Sequence, residues 1–195
     1  MKKLVALALL AAGFVALHAA DATFRVDVNG VKDKVSFTIH PNEEMNAAPQ
    51  GWVKQNKECT ITYWAKKKVT SSDWEDYEIS FTPKTSGTVG ISVAGRWAQT
   101  QAARAWVLVN KVELNDKLYP NGNFTKTFKT KNGQVIPSGF WLSGKAKYLP
   151  TAGEKGTPAV LVNHDNRLSF NVKVEAGKKY VFEFEVKAAT PDQVK

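Results

Sequence analysis

One cysteine in 195 residues leaves no internal disulfide framework and no thiolate cluster for a structural zinc. With only His18, His40 and His164 as imidazoles, most metalloenzyme sites and His-dependent nucleophile arrangements lack parts. Glycine at 13 and proline at 8 are too sparse for a collagen-like or linker-like chain. Apolar residues nowhere recur at helical spacing in the body of the chain, and no later segment is continuously apolar. What is present, 43% hydrophobic, 23% charged and 11% aromatic residues, is enough for an ordinary globular domain and argues against intrinsic disorder.

The amino terminus stands apart from that domain. Lys2 and Lys3, the apolar run 4–17 and small Ala19-Ala20 ahead of Asp21 read as a secretory signal peptide over residues 1–20. The run is shorter than the roughly 20 residues that span a bilayer, so stable transmembrane insertion is not expected. The expected location is secreted, periplasmic or cell surface. Removing Lys2 and Lys3 lowers the formal charge from +9 to +7. The excess is scattered over Lys66-Lys67-Lys68, Lys126, Lys129, Lys131, Lys145, Lys147 and Lys178-Lys179. Scattered charge serves solubility first and favours anionic glycans as partners; no nucleic-acid motif is present, and no nucleic-acid partner is expected.

Period-two alternation dominates the rest. Phe24, Val26 and Val28 alternate with Arg25 and Asp27; Val35, Phe37 and Ile39 with Ser36 and Thr38; Tyr77, Ile79 and Phe81 with Glu78 and Ser80. Val89, Ile91 and Val93, then Leu168 to Val174, then Tyr180 to Val186 repeat the pattern, with turn-forming pairs such as Asn29-Gly30 and Asn132-Gly133 between. Ten or so such strands predict an all-β fold, an antiparallel β-sandwich of jelly-roll type. Residues 105–109 are apolar at both parities and predict a central strand covered on both sides. No linker divides the chain, so residues 21–189 are expected to form a single domain and 190–195 a frayed, flexible tail. Cys59 alternates with Ile61 and Tyr63 and is expected to be buried and inert.

The order of segments carries a further likeness. Val174-Glu-Ala-Gly-Lys-Lys179 with Tyr180-Val-Phe-Glu-Phe-Glu-Val-Lys-Ala-Ala189, and Cys59-Thr-Ile-Thr-Tyr-Trp-Ala-Lys66, resemble strands of jelly-roll carbohydrate-binding modules, sandwiches like the galactose-binding domain. Residues 74–83, 86–93 and 107–114 resemble that family's later strands. Leu118-Tyr-Pro-Asn-Gly-Asn-Phe124 and Ser138-Gly-Phe-Trp-Leu-Ser-Gly144 resemble its opening ones. The likeness covers about two thirds of the mature chain, with closing strands ahead of opening ones: a circular permutation, or the end of one repeat joined to the start of the next. It implies sugar binding. Where the family often has Asp-Asp, this chain has Asn110-Lys111, which removes carboxylates that could hold a structural Ca²⁺; calcium is disfavoured and no other cofactor is implied.

A sugar site needs exposed indole for the flat C–H faces of the ring and forked polar groups for its hydroxyls. Trp97, just beyond a predicted strand, fits best, in a loop that also supplies Arg96, Gln99, Gln101 and Arg104. The competing reading makes Trp97 a plug for the end of the sandwich. Trp64, opposite in parity to Ile61 and Tyr63, is the second candidate, as a ligand platform or as packing beneath a loop. Trp52 is expected in a loop at the sandwich end, and Trp74, Trp106 and Trp141 in the core. Residues 163–166 read as a polar turn rather than a ligand site. Asn123-Phe-Thr125 matches a glycosylation sequon, a pattern common by chance. No catalytic site residue is singled out, so a small glycan-active enzyme ranks behind a noncatalytic binder and behind a structural or adhesive envelope protein.

Overall fold

The computed structural model describes residues 24–38, 52–65, 69–70, 72–95, 97–100 and 104–194. The predicted leader, 1–20, lies outside them, as do Arg96, Gln101 and His40. No helix among the described residues is long and apolar enough to cross a membrane.

The alternating segments form two antiparallel sheets. The six-stranded sheet runs β11 (Trp141–Leu142), β14 (Leu168–Val174), β6 (Gly87–Gly95), β1 (Phe24–Asn29), β4 (Thr60–Trp64) and β3 (Trp52–Lys57). The seven-stranded sheet runs β12 (Lys147–Leu149), β13 (Ala159–Val162), β7 (Val107–Leu114), β15 (Tyr180–Ala188), β5 (Glu75–Pro83) and β2 (Phe37–Thr38), with β8 (Lys117–Leu118) pairing β7. A separate hairpin joins β9 (Thr127–Lys129) to β10 (Val135–Pro137). The chain passes between the two large sheets from β1 to β2, β2 to β3, β4 to β5, β5 to β6, β6 to β7, β11 to β12, β13 to β14 and β14 to β15, so both halves of the sequence contribute to both sheets.

Parity decides which side chains meet. Phe24, Val26 and Val28 on β1, and Val89, Ile91 and Val93 on β6, are buried against Tyr77, Ile79 and Phe81 on β5 and Phe182 and Phe184 on β15. The Phe24 ring lies 5.0 Å from Tyr77 and 5.7 Å from Phe184, which ties the layers together. Tyr63 on β4 donates its hydroxyl to the Ser80 carbonyl of β5 at 2.8 Å, satisfying a polar group the core would otherwise strand. The segments after β7 extend this core: Tyr119, Phe124 and Phe140 form a ring cluster with Phe170 of β14, with Phe124–Phe140 centroids 5.2 Å apart.

The strand expected to be covered on both sides is β7, whose Val107, Leu108, Val109 and Asn110 are all buried. Its inward Val107 and Val109 belong to the main core, while outward Leu108 packs with Ala159, Leu161 and Ala189 beneath Trp74, Trp106 and Val194. Val194 comes from the one-turn helix α1 (Pro191–Val194) that follows β15. The alternation then breaks, because Val109 pairs Val186 and Lys111 pairs Glu185, leaving Asn110 as a bulge. The bulge moves the inward parity from Val109 to Val112.

Three expectations need correction. Cys59 is only half-buried, since it sits in the turn between β3 and β4 rather than on the Ile61 face; its carbonyl accepts the Gly30 N–H at 2.9 Å. Trp52 is in strand β3, paired with Trp64, and not in a loop. Trp141 is 54% exposed, because it pairs with Ser169 and therefore shares the outward side of that residue, while Leu142 faces inward beside Leu168.

Candidate ligand site

The outer side of the six-stranded sheet is built from the polar parity of each strand. Register places Trp141, Ser169, Ser92, Asp27 and Thr62 in one row, and Trp64, Arg25 and Ala94 in the next. Cross-strand neighbours on one side lie about 4.5–5.5 Å apart, within hydrogen-bonding reach for their side chains. Thr62 donates its hydroxyl to Asp27 Oδ1 at 2.9 Å, and the Ser92 and Ser169 hydroxyls share a hydrogen bond of 2.9 Å.

Two guanidinium groups meet on the other oxygen of that carboxylate. Arg25 Nη2 lies 3.0 Å and Arg167 Nη1 3.2 Å from Asp27 Oδ2. Arg25 is 9% exposed, and its Nε has no hydrogen-bond partner among the described residues. Burial pulls its pKa below the ordinary value and the Arg167 charge adds to that, with Asp27 opposing. Arg167 is more open and donates Nε to the His164 carbonyl at 3.2 Å. Around these groups runs an open groove of about 510 Å³, lined among others by Trp64, Thr60, Thr62, Ser92 and Asn29.

The loop 163–167 frames one end of this cluster. Buried Asn163 and Asn166 hold the turn: Asn163 Oδ1 accepts the Asn166 backbone N–H at 3.1 Å and its side-chain amide at 2.7 Å. His164 Nδ1 bonds Asp165 Oδ1 at 2.8 Å. Its pKa is lowered by burial and by the fields of Arg25, Arg167 and Arg104, with Asp27 pulling the other way.

The structure distributes the predicted site residues unevenly. Trp64 is half-buried and lines the groove. Arg104 lies nearby through the loop, but donates Nε to the Ala98 carbonyl at 3.0 Å and binds Asp165, so it clamps the 97–100 segment to the loop. Trp97, on that segment, is 53% exposed, and Gln99 is exposed too; neither lines the groove. Sequence reasoning missed Arg25, Asp27, Thr62 and Arg167. Their parity was visible, but which strands lie side by side was not, and only the order β14-β6-β1-β4 brings them together.

Asn110, at the β7 bulge, ties a neighbouring loop to the sheet. Its Oδ1 accepts the Thr157 hydroxyl at 2.8 Å and the Glu154 N–H at 3.3 Å, while its Nδ2 donates to Glu185. The carboxamide thus closes the 153–157 loop by hydrogen bonds. Gly153 is required by this closure, because a Cβ there would meet Asn110 Oδ1 at 1.9 Å. Among the described residues no group of three or more His, Cys, Asp or Glu is placed to hold a metal ion. The chain matches no protein-family model, no curated protein and no solved structure.

Proposed function

We propose that this chain is a secreted, noncatalytic carbohydrate-binding β-sandwich whose site is the Trp64 groove. One observation carries the reading: an indole stands beside two guanidinium groups, a carboxylate and several hydroxyls on the polar side of a sheet, in a space of about 510 Å³ that opens to solvent. Indole takes the apolar side of a sugar ring, and the forked groups take its hydroxyls. Among the described residues Asp27 is the one carboxylate lining this groove, with one oxygen taken by Thr62 and the other by two arginines, which suits positioning better than proton transfer. The passage of the chain between sheets supports a jelly-roll topology, and the sharing of both sheets by both halves supports a permuted order within one sandwich. Export rests on the leader-like residues 1–20.

The test is a glycan array probed with the protein purified after export, followed by titration of any hit against Trp64→Ala. Binding that survives Trp64→Ala unchanged would move the site elsewhere, with Trp97 next. A second reading, a structural or adhesive envelope protein, draws on exposed Trp141 on the short edge strand β11 and on Phe128 and Val135 in the β9–β10 hairpin. Salt-resistant self-association without any glycan hit would favour it.

A further inference from the structure

We infer that the groove selects glycans bearing an oxyanion, a carboxylate or a sulfate ester, and that the Arg25–Arg167 pair receives that group. This rests on the glycan reading and adds the class of glycan. The overall positive charge predicts only diffuse, salt-sensitive attraction to polyanions, whereas the groove offers a fixed point.

The charge count at that point is unbalanced. Arg25 and Arg167 share Asp27 Oδ2, at 3.0 and 3.2 Å, and no other acidic side chain lines the groove among the described residues. One positive charge is therefore left over. Asp27 offsets the repulsion between the two guanidinium groups, and its other oxygen is already taken by Thr62. The donor count is unbalanced as well. Arg25 is nine-tenths buried and has lost most of its water, yet its Nε has no partner among the described residues, and Thr60, also lining the groove, has a buried hydroxyl in the same condition. A buried donor left unmade costs free energy that an incoming acceptor recovers. An ionised acceptor recovers more than a hydroxyl, because charge-assisted bonds are roughly twice as strong and the planar guanidinium matches the fork of a carboxylate. Behind burial, the fields of Arg25, Arg167 and Arg104 push the His164 pKa down against the pull of Asp27, in keeping with the net positive charge of this end of the sheet. One monoanionic substituent per groove balances both counts, with its ring laid against Trp64.

The experiment uses the exported protein and pairs of oligosaccharides matched except for the oxyanion. Polygalacturonate, alginate and hyaluronan oligomers are compared with their carboxyl-reduced forms, and a sulfated galactan oligomer with its desulfated form. The expected result is that at least one charged member binds about tenfold or more tightly than its neutral partner, the size of a charge-assisted hydrogen bond. Arg167→Ala should abolish that preference while retaining weak neutral binding, and Arg167→Lys should restore part of it. Acidification below the ligand's own carboxyl pKa should weaken the uronates and leave the sulfated oligomer unaffected, which separates the two sources of the group. Equal binding of charged and neutral members overturns the inference and leaves the glycan reading standing; failure of every oligomer also overturns the inference, and an array without any hit overturns the glycan reading with it. Should Arg167→Ala not fold, the wild-type preference is measured in low salt and at about 0.5 M, where the Debye length falls to roughly 4 Å and diffuse attraction is screened while a partly buried contact pair largely survives. Persistence there supports a fixed site, and disappearance overturns it.

Discussion

On the outer side of the six-stranded sheet Arg25 and Arg167 converge on Asp27, whereas on the outer side of the seven-stranded sheet Glu113, Glu183 and Glu185 surround Lys111, with Asp76 and Glu78 across from Glu185 and Glu183 on the next strand. Both sides are the polar parity of strands that share one core. The first surrounds an open groove with leftover positive charge and unmade donors. The second is strained by like charge: Glu183 lies directly across from Glu78 on one neighbour and Glu113 on the other. Burial raises its pKa first, and Asp76, Glu113 and Glu78 raise it further against the pull of Lys111. Burial alone would lower Lys111, but its 3.0 Å bond to Glu113 and the fields of Glu183 and Glu185 raise it. A chain with a formal charge of +9 thus concentrates acid on one side, away from the groove, and the groove's positive field is not cancelled by it.

The comparison supposes that each side depends on the same interior, and the largest effect tests this. Phe182 is fully buried between the sheets, 5.8 Å from Phe170 and 6.2 Å from Phe81. Phe182→Ala should cost roughly 3–5 kcal/mol, read as a lowered denaturant midpoint. Loss of less than about 1 kcal/mol would mean that the layers are not packed as described.

The next effect separates the two sides by their tryptophans. Trp64 lines the groove, whereas Trp74 packs over Leu108 and Leu161 with Lys187 Nζ 6.0 Å from its ring. Trp64→Ala should weaken glycan binding by about 1–3 kcal/mol, as expected for an aromatic anchor. Trp74→Ala should lower the melting temperature and leave affinity alone. The reverse pattern in calorimetry and titration would interchange the roles of the two sheets.

Much of this was legible in the amino-acid order and some was not. Alternation at Phe24-Val26-Val28 and Phe182-Phe184-Val186 marked the inward residues correctly, because parity is a local property of an extended chain. The apolar stretch at Val107-Leu108-Val109 marked a strand covered twice, again from local composition. Trp141 was misplaced because a two-residue edge strand is too short for its parity to show, and Cys59 because the chain turns one residue before the alternation begins. The Asn110 bulge left only a one-residue slip in the pattern. The Arg25–Asp27–Arg167 cluster was invisible for a different reason: Arg25 and Asp27 share one side of β1, but Arg167 lies far along the chain and reaches them only through the pairing of β14 with β6 and of β6 with β1.

A smaller effect compares how the two sides respond to acid. Glu183 has a raised folded pKa, so its ionisation opposes folding; whatever stability its protonated form contributes is present at low pH and lost as pH rises through the folded pKa. Glu183→Gln should therefore stabilise by roughly 0.2–1 kcal/mol at pH 7, the scale of a like-charge cross-strand pair, with the gain fading below the ordinary carboxylate range. His164 behaves oppositely, because its folded pKa is depressed: stability is lost as pH falls from its unfolded value through the folded one. His164→Asn should flatten that loss. Melting curves for both variants between about pH 4 and 8 check the signs, since both ordinary pKa values fall in that window. A Glu183→Gln variant less stable than wild type at pH 7 would remove like-charge strain from the account of the seven-stranded sheet.

The smallest effect concerns Trp97, the residue that sequence alone ranked first. It follows the end of β6 and is 53% exposed; the next residue, Ala98, is held through its carbonyl by Arg104, which is tied in turn to Asp165. The segment is thus fixed to the 163–167 loop by its backbone and not by the indole. An exposed ring of this kind contributes little to stability, so Trp97→Ala should shift unfolding by no more than about 0.5 kcal/mol. Because the ring does not line the groove, a disaccharide that fits beside Trp64 should bind the variant as it binds the wild type, and only a longer chain reaching past the loop should lose affinity. A variant that melts many degrees lower would make Trp97 a plug for the sandwich end. One that loses disaccharide binding would extend the groove across the loop, and the contrast between the two sides of the molecule would then have to include the 97–104 segment on the cationic side.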